Sequence, residues 1–255
     1  MHPFTNHPLV VFPVSFVALW LWAWVGWLLL RKQFSLEDEI REDFGFILGA
    51  SLTLLGLIIG FSFSMATSRY DQRKNYEEAE ANAIGTEYLR ADLLPAADGA
   101  KVRGLLKKYL DERIQFYSAR DEQELQGIND STTKTQAELW SAILAVNSAH
   151  ATSLDGLAVS GMNDVLNSQG YTEAAWRNRI PTAAWGLMTA IAIGCNLLVG
   201  YGSRGGKSGA KLLPVLPLVI SVAFMLIADI DAPRRGIITV SPQNLTSLAQ
   251  SLRSP

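Results

Sequence analysis

Four stretches of this chain carry no charged side chain and are long enough to matter to a bilayer: Leu9–Leu30, Phe44–Ala66, Pro181–Gly202 and Leu212–Ala228. A helix rises about 1.5 Å per residue, so crossing the hydrocarbon takes roughly 20 apolar residues, with about 17–25 tolerated. The first three stretches meet that length, and the fourth, though short, falls inside the range. In hydrocarbon every backbone polar group must be satisfied within its own segment, which makes these stretches helices. The sequence therefore predicts an all-α membrane protein in contact with the lipid bilayer. It would have four transmembrane helices, with a helical extramembrane domain between the second and third. The expected divisions are 1–66, 67–180, 181–230 and a tail, 231–255.

The first stretch is not expected to be a cleaved signal. Met1–Pro8 has no Lys or Arg, and the apolar run ends in "GWLLLRKQ" instead of a small-residue cleavage site. Trp20, Trp22, Trp24 and Trp27 crowd its second half, as residues that anchor at a headgroup interface do.

Thr67–Ile180 holds 17 Asp and Glu against 13 Lys and Arg. That balance excludes a nucleic-acid partner, which needs a concentrated basic face. The region reads as helices broken at Pro95–Ala100 ("PAADGA"), at Gly127–Thr133 and at "NSQGYT", with Thr172 as a cap for Glu173–Ile180. One of these helices would carry Leu139, Ile143, Val146, His150, Leu154, Leu157, Met162 and Val165 on a single stripe. His150 lies on that stripe as a core or interface histidine, and Cys195, the single cysteine, is a packing residue within the third span.

Little here suits catalysis. "SRGGKSGAK" resembles a phosphate loop, but Tyr201 stands where its first glycine belongs and no strand precedes it. No nucleophile–base arrangement, metal-ligand spacing or dinucleotide fingerprint is present. The chain is therefore not expected to be an enzyme or to hold a cofactor or metal.

The second span is more specific. Gly45, Gly49, Thr53, Gly56, Gly60 and Ser64 recur at intervals of four, four, three, four and four, tracing one small-residue face. Such faces allow close helix contact in lipid. This one would meet another span of the same subunit, form a subunit interface, or line a pore, where glycine and hydroxyl groups leave room for an ion. Leu54, Ile58, Phe61 and Met65 form a second face. If the helix lined a pore, aromatic residues such as Phe61 or Phe63 would narrow it.

The segment "GFSFSMATSRYDQRKNYEEAEANAIGTEYLRADLLP" resembles the bestrophin-like domain family, bacterial multi-pass membrane proteins distantly similar to bestrophin anion channels. Its "SRYDQR", with Arg69, Tyr70, Asp71 and Arg73, is similar to the Tyr-Asp-Arg motif that follows the pore-lining second helix of those channels. "ADIDAPRRGIITVSPQNL" is similar to the acidic-Asp-Pro segment after their fourth helix. The chain departs from the bestrophins at two places. Gln72–Lys74 replaces a tryptophan pair, and the calcium-clasping acidic run is reduced to Asp229 and Asp231, which removes the basis for calcium gating.

At the end of the fourth span, Asp229 and Asp231 meet the negative pole of a helix dipole. They need cationic partners, for which Arg234, Arg235 and Arg69 are the candidates, while Pro233 forces Ala232 to extended geometry. A structural clamp and a cation site are the two readings of this cluster. Lys and Arg near the membrane ends number six on one side and seven on the other, so charge does not orient the chain. The resemblance implies cytoplasmic termini and a cytoplasmic central domain in the cell (inner) membrane, and a homo-oligomer passing small ions, anions above all. The competing reading is a non-conducting scaffold or sensor whose helical domain binds a partner.

Overall fold

The computed structural model describes residues 7–30, 38–149, 153–203 and 211–253. Among them every regular element is a helix. The chain divides into two compact units, Met1–Ser68 with Arg179–Thr239, and Arg69–Asn178 with Val240–Pro255.

The first unit contains α1 (Pro8–Val25), which passes into a π-turn at Gly26–Leu30, the start of α2 (Asp38–Arg90), α6 (Thr182–Gly202) and α7 (Val215–Asp231). Helix α1 packs against both α6 and α7. Its contact with α6 is backbone on backbone. A Cβ at Gly200 would collide with the carbonyl of Ala23, and one at Gly26 with the carbonyl of Leu197. Small residues permit this approach, which replaces the hydrophobic drive that lipid does not supply. Phe44 sits edge-on to Tyr201 with ring centroids 5.5 Å apart, and Trp185 likewise meets Phe224 at 6.0 Å.

Three helical stretches are long and apolar enough to cross a membrane: Pro8–Leu28, Arg41–Leu93 and Asp155–Gly202. Helix α7 has 17 residues, because a turn at residues 213–214, with Pro214 in it, delays its start from Leu212 to Val215. It then runs on to Asp231, three residues beyond the apolar stretch.

The second unit contains the rest of α2, a 3₁₀ turn at Ala91–Leu93, α3 (Ala96–Ser118), α4 (Glu122–Ala149), α5 (Ser153–Arg177) and α8 (Gln243–Ser251). Its core gathers Ile84, Val102, Leu106, Tyr109, Leu139, Ile143, Met162, Val165 and Leu245. Phe116, Tyr117 and Trp176 meet edge to face, with centroids 5.2–5.6 Å apart.

Several sequence expectations change here. Residues 240–253 join this unit through α8 instead of forming a separate tail. The chain does break at Leu94–Pro95, but "AADGA" is the first turn of α3, where the Pro95 carbonyl accepts the Gly99 amide at 2.8 Å. Gly127–Thr133 lies inside α4, since Ser131 donates to Glu112 at 2.6 Å and Thr133 to the Asn129 carbonyl at 2.9 Å. Polar side chains that would compete with a helix in isolation either bond back to their own helix carbonyls or find partners on other helices. "NSQGYT" lies inside α5 for the same reason. Ser168 donates to the Val165 carbonyl at 2.7 Å, while Thr172, expected as a cap, donates to Glu80 at 3.1 Å. The stripe from Leu139 to Val165 is split between α4 and α5, and Leu157 on it is exposed. His150, most of "SRGGKSGAK" and the start of the Arg31–Asp43 loop lie outside the described residues.

Candidate functional site

Helix α2 is the element on which the candidate residues concentrate. Within the first unit it presents two faces. Phe44, Leu55, Ser62 and Ala66 turn inward, with Leu55, Ser62 and Ala66 buried. Gly45, Gly49, Thr53, Gly56, Gly60 and Ser64 are all exposed, and a Cβ built at any of the four glycines meets nothing within 4 Å. Only 6% of the most apolar window of this helix is buried within the subunit. Phe61 and Phe63 also project outward, at 64% and 43% exposure. Thr53 bonds its hydroxyl to the Gly49 carbonyl at 2.9 Å, so its donor is satisfied within the helix.

The junction residues divide. Asp71 is exposed, Arg69 is half-buried, and Tyr70 packs on the core of the helical unit. Arg73 is 1% exposed, with Nε donating to the Ala175 carbonyl and Nη2 to the Asn178 carbonyl, each at 3.2 Å. A guanidinium on a last-turn carbonyl of α5 and on the carbonyl just past its end satisfies acceptors that the helix cannot satisfy itself, and complements the helix dipole. The sequence offered Arg73 as part of the family-motif junction, and the fold places it on the end of a neighbouring helix.

Continuing along the same face of α2, Glu77, Glu80, Ile84 and Glu87 are buried at spacings of three or four residues. Glu80 pairs with Arg113, itself fully buried, and accepts from Tyr117 at 3.3 Å and from Thr172. Burial alone would make Arg113 less basic, but the Glu80 carboxylate beside it outweighs that and holds the cation charged. Burial first, and the same carboxylate second, push the phenols of Tyr109 and Tyr117 up, so both stay protonated. Glu112 accepts from Ser131 and from Thr135 at 3.0 Å. Sequence reasoning missed this polar core by counting its members as solvated charge. The available signal was the heptad-like recurrence of Arg73, Glu77, Glu80 and Glu87.

The post-helix cluster is brought together within the first unit. Asp229 accepts the amides of Ile237 at 2.7 Å and Ile238 at 2.9 Å, folding the following loop back on the helix end. Asp231 accepts the Ile180 amide at 3.1 Å and pairs with Arg179 at 3.5 Å. Arg179 was not among the cations proposed from the sequence. Arg235, which was, lies 2.8 Å from a ring nitrogen of His7. Ala232 is extended before Pro233, at φ −83° and ψ 103°. Both carboxylates thus serve as acceptors for backbone amides, a use that needs no ion. Among the described residues, no three His, Cys, Asp or Glu side chains group as metal ligands do.

The family model for the Bestrophin-like domain matches residues 14–245. The chain belongs to the bestrophin-like family. This bestrophin-like chain is similar in fold to crystal structures of a bacterial bestrophin homologue from Klebsiella pneumoniae. A tyrosine-to-alanine variant of that homologue matches with a TM-score of 0.65 at 15% identity, over 94% of this chain and 97% of that one. The homologue phased by Zn-SAD matches at 0.64 and 16%, over 94% of each chain. A structure described as a membrane protein, a proline-to-alanine variant, matches at 0.65 and 14%, over 96% of this chain and 97% of that one. At such identities the likeness is one of fold. No curated protein matches.

Proposed function

We propose that the chain is one subunit of a homo-oligomeric membrane channel for small ions, anions in preference. In this reading α2 from each copy faces a common axis, and α1, α2, α6 and α7 all cross the bilayer, that of the cell (inner) membrane. Both termini and residues 67–180 lie on the cytoplasmic side. The observation that carries the reading is the outward face of α2: an uncharged small-residue stripe with open space beyond every glycine, on a helix almost unburied in its own subunit. Apolar surface of that kind is covered by lipid or by other copies, and close approach at glycines favours copies.

A corridor of glycine, hydroxyl oxygen and phenylalanine has no fixed charge, so selectivity would come from width and dehydration cost. Weakly hydrated anions then pass more readily than strongly hydrated ones. Purified protein in planar lipid bilayers tests this directly, with currents whose reversal potential follows the anion gradient as the expected result. A second reading, a non-conducting scaffold whose helical domain binds a partner, is favoured by one observation: Arg73 is buried on the carbonyls of Ala175 and Asn178, so its side chain is not free to line an ion path. Silent bilayers together with an axis sealed by side chains would select it.

A further inference from the structure

At the far end of α2 a carboxylate is buried without a hydrogen bond. The side chain of Glu87 is fully enclosed, and neither of its oxygens has a hydrogen-bond partner among the described residues. It lies over Gly161 of α5, where any Cβ would collide with Glu87 Oε2 and Arg90 Nη1. Arg90, from α2 itself, stands 3.9 Å away, in ion-pair range but beyond a hydrogen bond. Asp164 adds a negative charge from α5, one turn on. The next turn and α3 present charges already paired with each other, Asp92 and Arg103.

Among the described residues no group of three His, Cys, Asp or Glu stands here to hold a metal ion, and Arg90 already supplies a counter-charge. A buried carboxylate with no hydrogen bond and only a distant counter-charge takes up a proton. We propose that Glu87 makes this contact a proton-operated joint: as the neutral acid it seats the end of α2 on α5 at Gly161, and on ionising it leaves its buried position and the two helices part locally. The step is simple in balance, since the carboxyl proton passes to water and Arg90 remains the counter-charge.

Burial is the largest influence on Glu87, Arg90 opposes it and Asp164 adds to it, and together they raise its pKa to about 8. An acid whose pKa is raised in the fold stabilises that fold fully below the unfolded value of 4.5. This contribution is lost as pH rises through the folded value, so the window of falling stability is pH 4.5 to about 8. The joint itself changes state at the upper end of that window.

Infrared titration of the full-length protein in detergent tests this. A protonated-carboxyl band should disappear with a midpoint near pH 8 and be absent from Glu87→Gln. Asp164→Asn should lower the midpoint and Arg90→Gln should raise it, and both shifts remain readable if Glu87→Gln does not fold. Hydrogen exchange should speed up at residues 84–93 and 155–165 above the midpoint, relative to Glu87→Gln at the same pH. Absence of a carboxyl band titrating within roughly one pH unit of that midpoint, or a midpoint indifferent to both neighbours, overturns the proposal. A titrating band without faster exchange overturns the joint and leaves Glu87 a static buried acid.

Discussion

Glu77 grips the first turn of α8 from a different helix: its Oε1 accepts the Leu245 amide at 3.0 Å, and its Oε2 accepts from Asn244 at 2.6 Å. A carboxylate on free N-terminal amides, facing the positive end of the dipole, is a cap supplied from outside the helix. Glu77→Ala should therefore loosen residues 240–253 before it affects anything else. A hydrogen bond to a charged group contributes about 1.5–3 kcal/mol. Faster proteolytic trimming of the C-terminal segment, with α3 and α4 still protected from hydrogen exchange, is the expected outcome. Glu77→Gln, which keeps an acceptor, should lie between the two.

Asp231 should matter far more than an exposed acid. Removing it strands the Ile180 amide and leaves Arg179 without its carboxylate, and breaking a mostly buried pair typically costs about 3–5 kcal/mol. Melting of Asp231→Ala beside Glu124→Ala in the same detergent checks this. Equal melting temperatures would show that the cluster does not clamp the chain.

Two glycine substitutions should separate subunit folding from assembly. Gly60→Leu enters open space in the single subunit, so a folded chain is expected with an altered oligomer on size-exclusion chromatography. Gly200→Leu drives a side chain into the Ala23 carbonyl and should prevent α1 from seating on α6. An unchanged oligomer for Gly60→Leu would place that face against lipid.

Conduction is expected to respond to the outward aromatics. Replacing Phe61 or Phe63 with alanine should raise single-channel conductance if either ring narrows the corridor, with reversal potential unchanged. Conductance equal to wild type in both variants would remove these rings from the ion path.

The helical character of the membrane stretches was legible because hydrocarbon leaves few solutions, since a long uncharged stretch must be a helix, and the family was legible in the segments around Arg69–Arg73 and Asp229–Pro233. Two of the breaks in the central region were misread because Ser131 and Thr172 look like turn formers until Glu112 and Glu80 are brought beside them. Partners that distant in sequence leave no local trace. Arg179 was missed similarly, since nothing in the sequence around Asp231 points 52 residues back to it. The buried run Arg73, Glu77, Glu80 and Glu87 did leave a trace, a charged residue recurring at helical spacing. Charge at such positions is usually solvated, and only the facing helices reveal that it is not.

Gly26 and Gly200 have a genetic consequence. Each faces a backbone carbonyl, not a side chain, so no second-site substitution can make room by choosing a smaller neighbour. Suppressor mutations should be absent for both, and drift at these positions is closed whatever the oligomer does. Gly45, Gly49, Gly56 and Gly60 are the reverse case, because among the described residues nothing lies within 4 Å of a Cβ built there. Intolerance of alanine found there in a mutational scan would therefore point to contacts outside the described residues of the chain. Comparing the two sets of glycines in one selection experiment would measure how much of this sequence answers to its own fold and how much to its company.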